Sequence, residues 1–420
     1  MKIAIITNVP DQNSPMFSSF TQFAHTRGNS VFTSSRFKLN DYLNFFSTKH
    51  NFINLQKFKL QYILIFPALI LLLFKIVILV SDNSYINKRK IKIKYLPLDL
   101  FVTFKSMMNN LALNLDHLVF LVSTKPDFVI CCCVSACNAA RIYKFLFKKP
   151  FAYAIYEVYP NHNKDYTNYI VNKYHRTLEE KKACMQCAFV ISPGTDTFGR
   201  LLKLRYKIRE LKIVPLFFTH NKNFNFSRDK ISYPVKLYYH GMFDRQRFLP
   251  EFITALHLCN TDKFHLYLRG KGPELELIKE TISRLYMLSQ VTLLPFLPPE
   301  QLSTASQEYD IGLSLVAFDS PNNRFLIGFK STDYLCAGLC QFGPDSYILG
   351  NMLKKKNLGF TYKDTSVEGF AKAIMNLVQY PQKIDEYKSN ARNIATKEAS
   401  FKHCQTEFLN NIIHHININQ

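Results

Sequence analysis

The stretch from Val235 to Gly272, VKLYYHGMFDRQRFLPEFITALHLCNTDKFHLYLRGKG, decides the fold. It opens with VKLYYHG, an apolar run too short for a helix and rich in residues that suit a buried strand. Gly241 breaks the run, and RFLPEFITALHLC follows with the apolar spacing of an amphipathic helix. KFHLYLRG is a second buried strand, closed by Gly270 and Gly272. Strand, glycine turn, helix and strand make a βαβ unit, whose strands lie parallel in one sheet. The alternation continues through PELELIKETISRLY (helix), VTLLPF (strand), PEQLSTASQ (helix) and DIGLSL (strand).

The same alternation has already run once upstream. KIAIIT reads as a strand, Phe17 to Arg27 as a helix ended by Gly28, and DFVICCC and FAYAIYE as strands around the helix ACNAARIYKFLF. FVISPG is a further strand. Between the two series lies PLFFTHNKNFNFSRDKISYP, polar, aromatic and irregular, which places a linker near 215–233. A chain of 420 residues exceeds one ordinary core. The expectation is an α/β protein of two Rossmann-like domains, 1–215 and 216–400, facing a central cleft, with a tail at 401–420.

The net charge of +22 favours anionic partners: nucleic acid, an anionic membrane leaflet or a phosphorylated substrate. The chain is also rich in Lys, Asn, Ile and Phe, as an AT-rich genome would encode, so part of that charge carries no function. No groove-reading motif and no interleaving of arginines with aromatics points to nucleic acid. MKIAIITNVP lacks the long apolar core and small-residue cleavage site of a secretory signal. Ten cysteines show no disulfide-like spacing, which suits a reducing cytosol. Cys184-Met-Gln-Cys187 has the spacing of a zinc half-site, but no second pair accompanies it. It reads as a packed helix face, and no metal is expected.

Tyr62 to Val80, YILIFPALILLLFKIVILV, is the most apolar stretch, and Lys88, Arg89, Lys90, Lys92 and Lys94 follow it. A transmembrane span here would separate KIAIIT from the rest of its own sheet. A buried core helix accounts for the apolar run but not for its basic neighbour. A segment over 62–94 lying in one leaflet, with its lysines on anionic headgroups, uses both. The expectation is therefore a cytoplasmic protein, peripheral on the inner face of the membrane, with the core reading still open.

In NNRFLIGFKSTDYLCAGL, residues 322–339, Lys330 and Asp333 stand three apart at the start of a helix. A helix N-terminus attracts anions through its unpaired N–H groups and its dipole, and here those groups belong to Ser331 and Thr332. Lys330 adds a point charge suited to phosphate. Asp333 suits ribose or sugar hydroxyls. A phosphate beside a polyhydroxylated group describes a nucleotide or a nucleotide sugar. The same spacing also serves a helix whose Asp333 merely stabilises its first turn while Lys330 is solvated, and both readings stand at this point. Gly241 permits close backbone approach. Of the two arginines after it, Arg245 and Arg247, one is placed to grip a diphosphate. Gly270 and Gly272 repeat the strand-to-glycine turn.

These elements, in this order, resemble the nucleotide-sugar-binding half of GT-B glycosyltransferases. The family-4-like enzymes that build bacterial capsule and lipopolysaccharide are the most similar. YYHGMFDRQRF, LYLRGKGPELE, VTLLPFLPPEQL and the run from Tyr309 to Leu339 carry the likeness. KPDFVICCC, KKPFAYAIYEVYP and LEEKKACMQCAFVISPG resemble the acceptor-side domain. The resemblance implies transfer of a sugar from a nucleotide diphosphate sugar to an acceptor, here a lipid-linked or other saccharide, with no metal and no tightly held cofactor. Arg247 and Lys330 would neutralise the diphosphate, Asp333 would hold the ribose, and Glu157 would face the acceptor. The position eight before Asp333, an acid in many retaining members, is Phe325, which leaves the stereochemical outcome open. A sugar-nucleotide epimerase and a degenerate scaffold at the membrane are the competing readings. The apolar run argues against the epimerase, and the missing acid keeps the scaffold open.

Overall fold

A computed structural model of the chain describes residues 1–7, 20, 24–35, 110, 113–155, 170–193, 195–216, 226, 230–317, 321–325, 327–397 and 401–418. Glu157 and the segment 62–94 lie outside the described residues.

Two six-stranded parallel sheets form the frame. The first is ordered β2-β1-β3-β4-β5-β6. Its strands are β1 (Lys2–Thr7), β2 (Ser30–Ser35), β3 (Phe128–Cys131), β4 (Phe151–Ala154), β5 (Phe189–Pro193) and β6 (Ile213–Leu216). The second is ordered β12-β11-β10-β7-β8-β9. It comprises β7 (Val235–Met242), β8 (Phe264–Lys271), β9 (Val291–Leu294), β10 (Ile311–Leu313), β11 (Cys340–Pro344) and β12 (Gly359–Tyr362). Ile3, Ala4, Ile5 and Ile6 are all buried, which is why these strands read as unbroken apolar runs: both faces of a parallel sheet are covered by helices.

Helices of the first unit include α1 (Val134–Phe147), α2 (Ile170–Gln186) and α3 (Thr197–Tyr206), and residues 24–26 and 113–124 are helical too. α1 lays Ala136, Cys137, Ala139, Ala140 and Tyr143 against the sheet. Cys131, Cys132 and Cys184 are buried, and Cys184 and Cys187 belong to this core with Cys137. Burial pushes the Cys137, Cys184 and Cys187 thiols above their ordinary range, as expected for packed side chains.

The second unit holds α4 (Leu249–Leu258), α5 (Leu275–Arg284), α6 (Pro299–Ser306), α7 (Pro321–Phe325), α8 (Phe329–Cys336), α9 (Leu349–Lys355), α10 (Val367–Gln379) and α11 (Gln382–Lys397). The strand and helix order expected from VKLYYHG to DIGLSL is present throughout. Residues 401–420, read as a tail, instead contain a helix, α12 (Phe401–Ile418). Phe408, Leu409, Ile412 and Ile416 form its apolar stripe, and they pack on Ile3, Ile5, Phe128 and Phe189 of the first sheet. Phe408 lies edge-on to Phe20 at 4.8 Å. With Phe20 and Ala24, α12 covers that face of the first sheet, so the chain returns to its first domain to help close it.

Candidate active site

The site lies at the C-terminal ends of β7 and β10, where α8 begins. Tyr334 ties these elements together: its hydroxyl accepts the His240 N–H at 3.2 Å and donates to the Leu313 carbonyl at 3.3 Å. Tyr334 is fully buried, and its ring fills the space that a side chain at Gly312 would need. The residue beside it, Asp333, is thereby held against the end of β7.

Lys330 reaches the same point from the first turn of α8. Its ammonium sits 4.7 Å above the Tyr239 ring, and its stem crosses the backbone at Gly241. A Cβ at Gly241 would stand 2.5 Å from Lys330 Cε, and Gly241 itself has φ +127°. Both facts require glycine there. No carboxylate among the described residues forms an ion pair with Lys330. Burial pushes its pKa down to about 7, helped by the positive charge of Arg247 and opposed by Asp244 and Asp333. Burial likewise pushes Asp333 up to about 7, opposed by its Ser303 hydrogen bond and by Lys330. The Asp333 side chain keeps 15% exposure.

The two arginines separate. Arg247 is less exposed, at 29%, with its Nε 3.4 Å from Asp244 Oδ2 and lacking a hydrogen-bond partner. Arg245 turns outward toward Glu251 at 3.7 Å, with 73% of its side chain exposed. The structure thus brings Arg247, Gly241, Lys330 and Asp333 together and leaves Arg245 outside. Gly270 and Gly272 lie one strand over, but the space beside each is filled by the 241–243 turn: Gly241 O and the Phe243 ring at Gly270, and the Phe243 backbone at Gly272. They let two turns pack closely, which in turn shapes the Gly241 turn.

The free N–H groups expected at Ser331 and Thr332 are corrected. Both donate to the Gly328 carbonyl, at 3.0 and 3.4 Å, because α8 starts at Phe329, two residues before the Ser331 start that the spacing suggested. Ser331 is buried with its hydroxyl 2.7 Å from the Ser314 hydroxyl, and Thr332 is buried too. The Ser331–Ser314 contact holds α8 beside the end of β10.

Sequence reasoning missed His240. It is 3% exposed, its Nε2 lacks a hydrogen-bond partner, and it lies 3.7 Å from Asp333 Oδ2. Burial first, then Lys330 and Arg269, push its pKa down to about 3, so the imidazole is neutral. The signal was legible: a histidine ending an otherwise apolar strand, directly before the glycine. Ser303, which donates to Asp333 Oδ1 at 3.3 Å, carried no such mark. Phe325, where an acid was sought, packs against the core cluster of the first domain and lies 5.3 Å from the Tyr347 ring.

Chemically, the site offers two cations within one another's field, a carboxyl group beside them, and a neutral imidazole behind. That arrangement suits a multiply charged anion carrying hydroxyls. Among the described residues no group of three or more His, Cys, Asp or Glu is disposed to hold a metal ion, and no helix is long and apolar enough to cross a membrane.

No known family's sequence pattern matches the chain, and no curated protein matches it. Solved structures do share the fold. Sucrose-phosphate synthase from Thermosynechococcus elongatus superimposes with TM-score 0.64 at 11% identity, covering 100% of each chain. A glycosyltransferase from Rickettsia africae gives 0.62 at 12%, over 100% of this chain and 99% of that one. HepE from Anabaena, in complex with UDP, gives 0.60 at 12%, over 99% of this chain and 100% of that one.

Proposed function

The chain has the GT-B fold, two parallel α/β units of the kind glycosyltransferases share, and from that premise we propose that it transfers a sugar from a nucleotide diphosphate sugar to an acceptor hydroxyl. One observation carries this reading: Lys330, half-buried and without a carboxylate ion-pair partner among the described residues, is held in the field of Arg247 at the C-terminal end of β7. Two cations held this close raise one another's energy until an anion arrives between them. A diphosphate is such an anion, and it gains negative charge as it leaves the sugar, so the pair stabilises the transition state more than the bound donor. Asp333 stands beside the cations with 15% exposure, placed to accept from ribose hydroxyls. HepE and the pneumococcal O-GlcNAc transferase GtfA are solved with UDP at a GT-B fold, which supports a nucleotide donor for this one.

The acceptor side rests on sequence. Glu157 would face an acceptor sugar, and the segment 62–94 would bring the chain to an anionic membrane surface, where a lipid-linked saccharide is the fitting acceptor in surface polysaccharide assembly. The donor reading is tested by thermal shift with UDP, GDP, dTDP, CDP, CMP and ATP on wild type and Lys330→Ala. A rise with one diphosphate that vanishes in the variant is expected. No rise with any of them leaves a scaffold that Phe325, lying where an acid was sought, already suggests.

A further inference from the structure

We propose that His240 is a positioning residue of the donor site, holding the Asp333 carboxylate for the donor's ribose hydroxyls. This rests on the donor reading above. The geometry is specific. Asp333 presents one oxygen to Ser303 on α6, at 3.3 Å, and the other to His240 on β7, at 3.7 Å. Ser303 holds one oxygen by a hydrogen bond, and His240 stands next to the other, just beyond hydrogen-bond reach. His240 itself is placed with care. Its N–H is bonded to the Tyr334 hydroxyl, its ring lies edge-on to Tyr334 at 5.0 Å, and its Nε2 is buried with no partner.

A buried ring nitrogen left unpaired is unfavourable by itself. Closure of less than about 1 Å brings Nε2 into hydrogen-bond reach of Asp333 Oδ2. With its proton on Nε2, the neutral imidazole then donates to the carboxylate, and the carboxylate is free to accept from the ligand. The groups facing this pair are Lys330 on α8, Arg269 on β8 and Ser303 on α6; Arg247 and Asp244, after β7, act on Lys330. Lys330 and Arg269 are cations, and with burial they oppose a positive charge on His240. The histidine therefore serves as a neutral donor.

The test uses the full chain and the nucleoside diphosphates UDP, GDP, CDP and ADP, each beside its 2′-deoxy and 3′-deoxy forms, titrated from pH 6 to 8.5. Two variants are compared with wild type. His240→Phe keeps the ring against Tyr334 and removes both nitrogens. His240→Gln keeps a donor near Nε2.

Loss of a hydrogen bond to a charged group predicts roughly a 10- to 100-fold weaker affinity of His240→Phe for the ribonucleotide. One deoxy form should bind wild type and His240→Phe almost equally. The pH at which affinity is half lost on acidification should rise in His240→Phe, because the carboxylate has lost a donor that favours its charged form. His240→Gln should recover part of the affinity and of the ribose preference. Equal weakening of ribo and deoxy forms, or unchanged affinity and pH midpoint, overturns the proposal. If His240→Phe does not fold, the His240→Gln titration decides, with a fully lost ribose preference overturning it. If wild type binds none of these nucleotides, the donor reading falls first and this inference with it.

Discussion

Lys388 and Asp310 meet at 2.6 Å with side chains 2% and 0% exposed, and the second Asp310 oxygen accepts the Lys236 N–H at 3.0 Å. Lys330 and Asp333, in the same domain, are half-buried; Asp333 accepts from Ser303, but among the described residues no carboxylate forms an ion pair with Lys330. The first pair joins α11 to the edge between β7 and β10, and both Asp310 oxygens have partners within the protein. The second pair is left with capacity to spare, in the field of Arg247 and beside an unpaired imidazole. Burial alone does not distinguish a structural pair from a functional one. What distinguishes them is whether the surrounding groups complete the pair or leave it short.

Replacing each lysine by methionine breaks the symmetry most sharply. Lys388→Met leaves Asp310 as an uncompensated buried charge and should lower stability by about 3–5 kcal/mol, read from urea unfolding. Lys330→Met should do the reverse in the empty protein, raising stability by about 1 kcal/mol, since a strained cation is replaced by a packed apolar chain. It should also weaken nucleoside diphosphate binding by roughly 2–5 kcal/mol. A loss of stability on Lys330→Met would mean that its charge is already satisfied, and the contrast between the pairs would fail.

Gly241→Ala sharpens the same comparison from the backbone side. Its Cβ would stand 2.5 Å from Lys330 Cε, so the lysine must leave its place over Tyr239. Nucleotide affinity should drop about tenfold or more, with the Lys388 pair untouched; unchanged affinity would show that Lys330 reaches the ligand by another path. Gly270→Ala meets backbone instead of a flexible chain and should impair folding itself.

The pH dependence of the empty protein follows from the direction of the shifts. Asp333 rises from 3.8 to about 7, so the folded state holds a proton that the unfolded chain has lost in that interval, and stability falls as pH rises through it. Lys330 is lowered from 10.5 to about 7, so the folded state holds fewer protons above pH 7, and stability recovers as pH rises. The two contributions are least favourable together near neutrality. Asp333→Asn should therefore flatten the loss between pH 5 and 7 in a melting series, while nucleotide binding, which needs the charged lysine, weakens above pH 7.

A smaller effect belongs to Glu180 in the first domain. It is fully buried, accepts from Tyr153 at 3.2 Å and from Tyr206, and is pushed up to about 7 by burial. Like Asp333, it loses stability as pH rises from 4.5 to about 7. Glu180→Gln keeps an acceptor for one tyrosine and offers the other an N–H donor, and should melt slightly higher than wild type at pH 8. Nucleotide binding should not change, because this carboxyl lies in the core of the other domain.

Much of this was legible in the chain. Unbroken apolar runs such as KIAIIT and VKLYYHG can only be strands buried on both faces, and their alternation with helical spacing dictates parallel sheets. Gly241, Lys330 and Asp333 were visible because each is a residue type that packing alone does not ask for at its position. Other features depended on contacts between residues far apart in sequence. Arg245 and Arg247 look equivalent in DRQRF, but the turn after β7 sends one to Glu251 and the other to Asp244. Ser303 meets Asp333 across 30 residues, and His240 meets it across 93. The last helix carries an apolar stripe that any sequence reading can find, but only the open face of the first sheet says where that stripe must go. Local spacing determines which face of an element is apolar and which residue types stand out. Which of those residues complete one another is decided when separate elements are brought to the same strand ends, since a buried charge is defined by its neighbours.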